Sequence, residues 1–294
     1  MPRYRITHTT HYRHRAPATA AWQLLHLQPR PEPGQRCESF VLEVTPPPPD
    51  LAVRTDYFGN QQHVFTLREP HEELCITSHA VVARDEPALP MPGLTPTLRE
   101  ARLLAERAIA AEGFALEQFR HATPLVPLPP EAKALADGAG DDAMPVLAWL
   151  AILGAQFDAA FTFDAEATDL STPLAEVLAA RRGVCQDFAH VFLSCLRQHG
   201  LPAAYVSGYL LTDPPPGQPR LRGADASHAW VSVFVPGTGW IDYDPTNACF
   251  AGAGHIVVAR GRDFADVSPV KGLFSGGAHT LATSVTVEPA DETA

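Results

Sequence analysis

A chain of 294 residues has room for one large core or two modest ones, and 46% hydrophobic against 19% charged residues is the composition of a folded globular protein. A formal charge of −11, with no clustered Lys and Arg, excludes a general nucleic-acid binder. Five cysteines, an odd number with no CxxC, exclude a disulfide framework and a Cys-based zinc site, and no segment approaches the ~18 apolar residues of a spanning helix.

The first 90 residues alternate as strands do: Tyr4, Ile6, His8, Thr10 and Tyr12, then Phe40 to Val44, His63 to Leu67 and Ile76 to Val82. This predicts an antiparallel β domain over 1–90. His8, His11 and His14 would line one face of a helix, but a strand sends His11 to the opposite face, so no metal site is expected. Four prolines and Gly93 between Pro87 and Pro96 mark a linker. Beyond it Thr97 and Glu100 form a capping box for a helix to about Ala111, and a second helix is expected over Met144 to Phe157. Ser171-Thr172-Pro173 offers a hydroxyl cap and a first-turn proline for a short helix ended by Gly183. The next helix opens at Cys185, with Phe188, Ala189, Phe192, Leu193 and Leu196 as its apolar stripe and Gly200 as its stop. Strands follow over Ala203 to Leu211, Ala226 to Val235 and Trp240 to Asp244, the last two joined by the turn Pro236 to Gly239. A core over 91–260 is thus expected, and a C-terminal segment 261–294, strand-like over Leu281 to Val287, is expected to pack back on the core or on the β domain.

The chemistry converges on one cysteine. A thiol in the first turn of a helix meets unpaired backbone N–H groups and the positive end of the helix dipole, which favour thiolate and can receive an oxyanion. In the strand Ser227 to Val235, alternation puts Ala229, Val231, Val233 and Val235 on an aliphatic face and His228, Trp230, Ser232 and Phe234 on the other. His228 is then expected to meet the helix N-terminus across the sheet and act as the base that a thiol nucleophile requires. With the turn at Pro236 to Gly239, His228 falls opposite position 246 or 247, which makes Asp244 a diagonal neighbour at about 7 to 8 Å. Asp244 is the expected orienter, and Asp242 a surface charge.

The segments Gly183-Val184-Cys185-Gln186-Asp187-Phe188-Ala189, His228-Ala229-Trp230 and Gly239-Trp240-Ile241-Asp242-Tyr243-Asp244-Pro245-Thr246 resemble the bacterial transglutaminase-like superfamily, which has a papain-like Cys, His, Asp arrangement in this chain order. The N-terminal β region and Gly261 to Val267 with Pro269 and Gly272 resemble the bacterial subgroup that pairs a β domain with this core. The resemblance implies an α+β fold with Cys185, His228 and Asp244 as catalytic residues and no cofactor. It also implies amide acyl transfer through a thioester, as peptide or isopeptide hydrolysis with transamidation open, on a peptide or protein substrate. Animal transglutaminases carry tryptophan after the nucleophile. Here Gln186 stands there, and Gln186 and Trp230 are the candidates for the oxyanion site or substrate positioning, with Trp149 a further tryptophan upstream. Arylamine N-acetyltransferases share the residue order but need glycine where Val184 stands. A binding module that keeps the fold without activity would be expected to lack a member of the three, and none is missing. The N-terminus carries no apolar leader, so a soluble, cytoplasmic protein without membrane partners is expected.

Overall fold

The structure, a computed structural model, describes residues 1–212 and 227–290. Ala226, expected to open a strand, and the last four residues of the C-terminal segment lie outside these.

Two antiparallel four-stranded sheets form the N-terminal part, and both recruit the C-terminal segment. In the first, strand His279–Pro289 pairs with Arg3–Ala18, which pairs with His71–Arg84 and then Gln35–Thr45. In the second, Val270–Ser275 pairs with Ala20–Leu25, followed by Gln61–Leu67 and Leu51–Thr55. Alternation decides which side chains face inward: along Arg3–Ala18, Tyr4, Ile6, His8, Thr10, Tyr12 and His14 are buried while their neighbours are not. His11 accordingly faces Glu73 on the outer surface, apart from His8 and His14. Tyr12, Leu25, Phe65, Leu67, Leu74 and Ile76 close the core between the two sheets. The other end of the first sheet presents Tyr4, Ile6, Val82, Val285 and Val287 to the main core, so the sandwich and the rest of the chain share a continuous apolar interior.

The main core is a five-stranded antiparallel sheet with helices on one face. Its order is Cys249–Phe250, Gly239–Asp244, Ser227–Val235, Ala203–Leu210 and His255–Gly261. Helix Leu98–Glu112 begins at the expected box, Thr97 Oγ1 accepting from the Glu100 N–H and Glu100 accepting from the Thr97 N–H. Helix Val146–Ala160 starts two residues later than expected because Pro145 occupies its N-cap. Pro130–Asp137 is a helix that sequence patterning did not single out. The helix expected after Ser171 runs Leu174–Ala180 with Pro173 as N-cap; the Ser171 and Thr172 hydroxyls instead bond Asp169, and Arg181 in the left-handed region, not Gly183, terminates it. Gly183 belongs to a short parallel pair, Arg182–Gly183 with Thr162–Phe163, that leads directly into the helix Cys185–Gln198.

Phe188, Ala189 and Phe192 of that helix pack on Ala229, Val231, Val233 and Tyr243 of the sheet, with the Phe192 and Tyr243 rings stacked at 5.5 Å. On the opposite face Trp230 packs with Val206 and Val257. Gly208 makes this possible: a Cβ there would sit 2.2 Å from the Ile256 carbonyl oxygen and 2.4 Å from the Trp230 ring, so a side chain cannot enter without moving the strand or the indole.

Candidate active site

The Cys185 helix starts where it does because its cap is built by a side chain in the first turn. Val184 is extended (φ −106°, ψ 177°), and the Asp187 Oδ2 accepts both the Val184 N–H at 2.9 Å and the Thr168 hydroxyl at 2.6 Å. Gly183 permits that approach, since a Cβ would lie 2.7 Å from the same oxygen. The ladder opens with Phe188 N–H to Val184 C=O at 3.0 Å, so the N–H groups of Cys185, Gln186 and Asp187 have no partner within the helix. Cys185 is half-buried at this positive end.

The structure brings Cys185, His228 and Asp244 together. His228, the second residue of its strand, places Nε2 2.7 Å from Asp244 Oδ2, and its imidazole is close enough to the Cys185 side chain for the two to interact electrostatically. The route differs from the expected one. The helix lies on the aliphatic face of the sheet, opposite the face that carries Trp230, and Cys185 meets His228 only because both stand at the ends of their elements. The hairpin register is the expected one: Val231 opposes Tyr243, which continues to His228 opposite Thr246 and leaves Asp244 diagonal to it.

Electrostatics follow from burial and these contacts. Burial alone would push His228 down, but the bond to Asp244 and the interaction with Cys185 more than offset it and raise its pKa to about 10. Asp244 is fully buried, which would raise its pKa, yet donors from His228, His255 and Asn247 hold it well below the ordinary carboxylate range. Its Oδ2 receives His228 Nε2 at 2.7 Å, Asn247 Nδ2 at 2.6 Å and His255 Nε2 at 3.1 Å, and its Oδ1 receives the backbone N–H groups of Thr246 at 2.9 Å and Asn247 at 3.2 Å. Tyr205, buried on the helix side of the sheet, is pushed well above its ordinary pKa by burial and by the Cys185 and Asp187 charges, so it stays a neutral hydroxyl near the thiol.

His255 and Asn247 were not identified from sequence. Asn247 is legible in retrospect, because an Asx-type turn after a strand-ending proline is a local signal. His255 is not, since it arrives on a strand that pairs with Ala203–Leu210 rather than with the hairpin. Its tautomer is set by its neighbours: Nδ1 accepts the Gly252 N–H at 3.1 Å, so Nε2 carries the proton given to Asp244. Asp244, Cys249 and His255 place their ligand atoms within 4.8 Å of one another. A metal on His255 Nε2 would need the proton moved to Nδ1, against the Gly252 N–H, so the donor set does not suit a cation as it stands.

Trp230 requires a correction. It is fully buried, gives its indole N–H to Asp242 Oδ2 at 3.1 Å and meets the His255 ring edge at 5.3 Å, so it supports the site from behind and presents nothing to a substrate. Asp242 is likewise not a surface charge. Its side chain, only 8% exposed, is held in an ion pair with Arg260 (2.9 Å), which outweighs the desolvation that would raise its pKa. Gln186 lines a cavity of about 190 Å³ with Asp187 and His190. Trp149 is buried and gives its indole N–H to Ala136 C=O at 3.3 Å, so it is unavailable to an oxyanion.

Residues 134–245, which include Cys185, His228 and Asp244, match the transglutaminase-like superfamily, and residues 4–83 match the bacterial transglutaminase-like N-terminal region. The chain belongs to the transglutaminase-like superfamily. Uncharacterized proteins of Mycobacterium tuberculosis and Mycobacterium bovis are 38% identical to it over 297 residues, covering 97% of this chain and 92% of theirs. A crystal structure from Cytophaga hutchinsonii, provisionally assigned as a cysteine protease, has the same fold with a TM-score of 0.73, 17% identity and coverage of 99% of this chain and 92% of that one. A shorter stretch of this transglutaminase-like chain, 121 residues or 40% of it, is 32% identical to 18% of a Pseudomonas aeruginosa protein-glutamine gamma-glutamyltransferase. Among the described residues no helix is long and apolar enough to cross a membrane.

Proposed function

We propose that the protein is a cysteine-dependent amide acyl-transfer enzyme whose main reaction is hydrolysis of a peptide or isopeptide bond. The observation that carries this reading is the single line of contacts from the half-buried Cys185, at a helix N-terminus, through His228 to the buried Asp244. A raised His228 pKa means the imidazolium form is available beside the Cys185 side chain, the partner that a cysteine nucleophile requires. The thiolate attacks the amide carbonyl and the S–C bond forms. The Cys185 backbone N–H, with Gln186 as the second candidate donor, receives the oxyanion. His228 gives its proton to the leaving nitrogen as the C–N bond breaks, leaving a thioester. Water then attacks, His228 takes its proton and returns it to the departing sulfur, and the acid is released. Asp244 holds the ring so that the nitrogen facing Cys185 exchanges the proton.

An amine in place of water would give transamidation, the reaction named for the Pseudomonas relative. Hydrolysis is favoured here because water needs no second binding site. Five free thiols suit a reducing, cytoplasmic setting. The test is to incubate a mixture of tryptic peptides with wild type and Cys185→Ala, with and without a primary amine, and to read products by mass spectrometry. New termini in wild type alone support hydrolysis. A mass gain of amine less ammonia at glutamine shifts the reading to transamidation, and identical products from both proteins contradict it.

A further inference from the structure

A cavity of about 780 Å³ opens where the N-terminal sandwich meets the central sheet, a size at which small ligands are held. Cys185, His228 and Asp244 do not line it, so it is separate from the site above. Its polar wall gathers three guanidinium groups and two carboxylates. Arg260 takes both acids, Glu32 at 2.6 Å and Asp242 at 2.9 Å, and Arg30 shares Glu32 at 3.0 Å. Asp56, which also acts on Arg30, is engaged with His26 at 3.4 Å and with Asn60. That leaves Arg84. It is only 5% exposed, donates from Nη1 to the Gln35 side-chain oxygen at 2.9 Å, and its Nε has no partner among the described residues. Burial lowers its pKa below the ordinary arginine value by more than the Asp242 and Glu32 charges raise it, and neither acid makes a direct ion pair with it among the described residues.

A buried cation with no acid in direct contact is costly, and one relief is an anion supplied from outside. The rest of the lining fixes what else that anion carries. Tyr57 is 65% exposed and Trp240 38%, and with Phe119 and Leu89 they make up the apolar part of the lining. A hydrated inorganic anion would gain nothing from that surface. A guanidinium fork fits a carboxylate edge to edge.

We propose that this cavity binds the C-terminal end of a peptide, with Arg84 taking the free α-carboxylate and the Tyr57, Phe119 and Trp240 wall taking an apolar final side chain. The site requires no chemistry at Cys185, and it can be present whether or not the acyl-transfer reading holds. The test uses the full chain carrying Cys185→Ala, so that no peptide is turned over, in titration calorimetry with acetyl-Leu-Phe and with its C-terminal amide. The acid should bind at least about tenfold more tightly than the amide. Arg84→Met should abolish that preference while the melting temperature stays the same or rises, because the substitution removes a buried charge that has no acid in direct contact. Trp240→Ala, at the exposed rim where folding is not at stake, should weaken the acid. Equal binding of acid and amide, no heat from either up to millimolar concentration, or a preference that survives Arg84→Met would overturn the proposal.

Discussion

Asp242 and Asp244 stand two residues apart on one face of one strand, the first half-buried and the second fully buried, and they are held in opposite ways. Asp242 answers Arg260, a cation that never loses its proton, and the pair joins the sheet to Glu32 of the sandwich. Asp244 answers imidazoles, an amide and two backbone N–H groups. The first arrangement fixes a charge in place. The second keeps a carboxylate ionised while leaving its partner free to gain and lose a proton, which is what an acid–base residue needs. Two carboxylates on one face of one strand are thus held by partners of different kinds, one suited to structure and the other to proton transfer.

The largest effect should come from exchanging each carboxylate for its amide. Asp244→Asn should slow Cys185 alkylation and any hydrolysis by about 10³ to 10⁴-fold, because an amide can present the wrong hydrogen-bonding group to His228 Nε2. Asp242→Asn should leave Cys185 reactivity in the folded protein near wild type and instead cost about 3 to 5 kcal/mol in urea unfolding, by leaving Arg260 buried with one acid fewer. If both changes act on reactivity alone, the contrast fails.

Gly208→Ala probes what the two carboxylates share. Its Cβ would collide with Trp230, which bonds Asp242 and touches His255, so about 1 to 3 kcal/mol of stability and part of the reactivity should fall together.

Proton dependence sharpens the contrast further. His228 has a folded pKa of about 10, above the roughly 6.5 of an unfolded histidine, so its protonated form stabilises fully below about pH 6.5 and the contribution is lost as pH rises toward 10. The stability gap between wild type and His228→Asn should therefore shrink by at least about 1 kcal/mol from pH 7 to 10. The corresponding gap for Asp242→Asn should stay flat over that window, since Arg260 does not titrate there.

The smallest change is expected at His255. His255→Leu removes one of five donors to Asp244 and should lower Cys185 reactivity about tenfold, with His255→Gln, which can keep an N–H toward Asp244, recovering part of it. No change in either variant would make His255 a packing residue.

Much of this site could be seen in the amino-acid order because its determinants are local. A cysteine after Gly-Val at the head of an apolar stripe marks a helix N-terminus, and a four-residue turn sets the register that brings Asp244 diagonal to His228. What escaped reading comes from distant pairings. Asp242 looked exposed because Arg260 lies 18 residues on and Glu32 comes from the other end of the chain. His255 joins Asp244 only through a strand order that no turn signal encodes. The last strands complete both N-terminal sheets, the pairing of Tyr4 with Pro289 spanning nearly the whole chain, and alternation over Leu281 to Val287 could suggest a strand without naming its neighbours. The side of the sheet on which the helix packs also escaped, because alternation around His228 says which face a side chain takes but not what covers it.

The central claim is that His228 and Asp244 activate Cys185. Iodoacetamide labelling from pH 4 to 9 with peptide mapping, in wild type, His228→Ala and Asp244→Asn, tests it most directly. The account predicts that Cys185 labels far faster than Cys37 or Cys75 near neutral pH and loses that advantage in both variants. Labelling of Cys185 no faster than Cys37 and Cys75, or unchanged without His228, would contradict it.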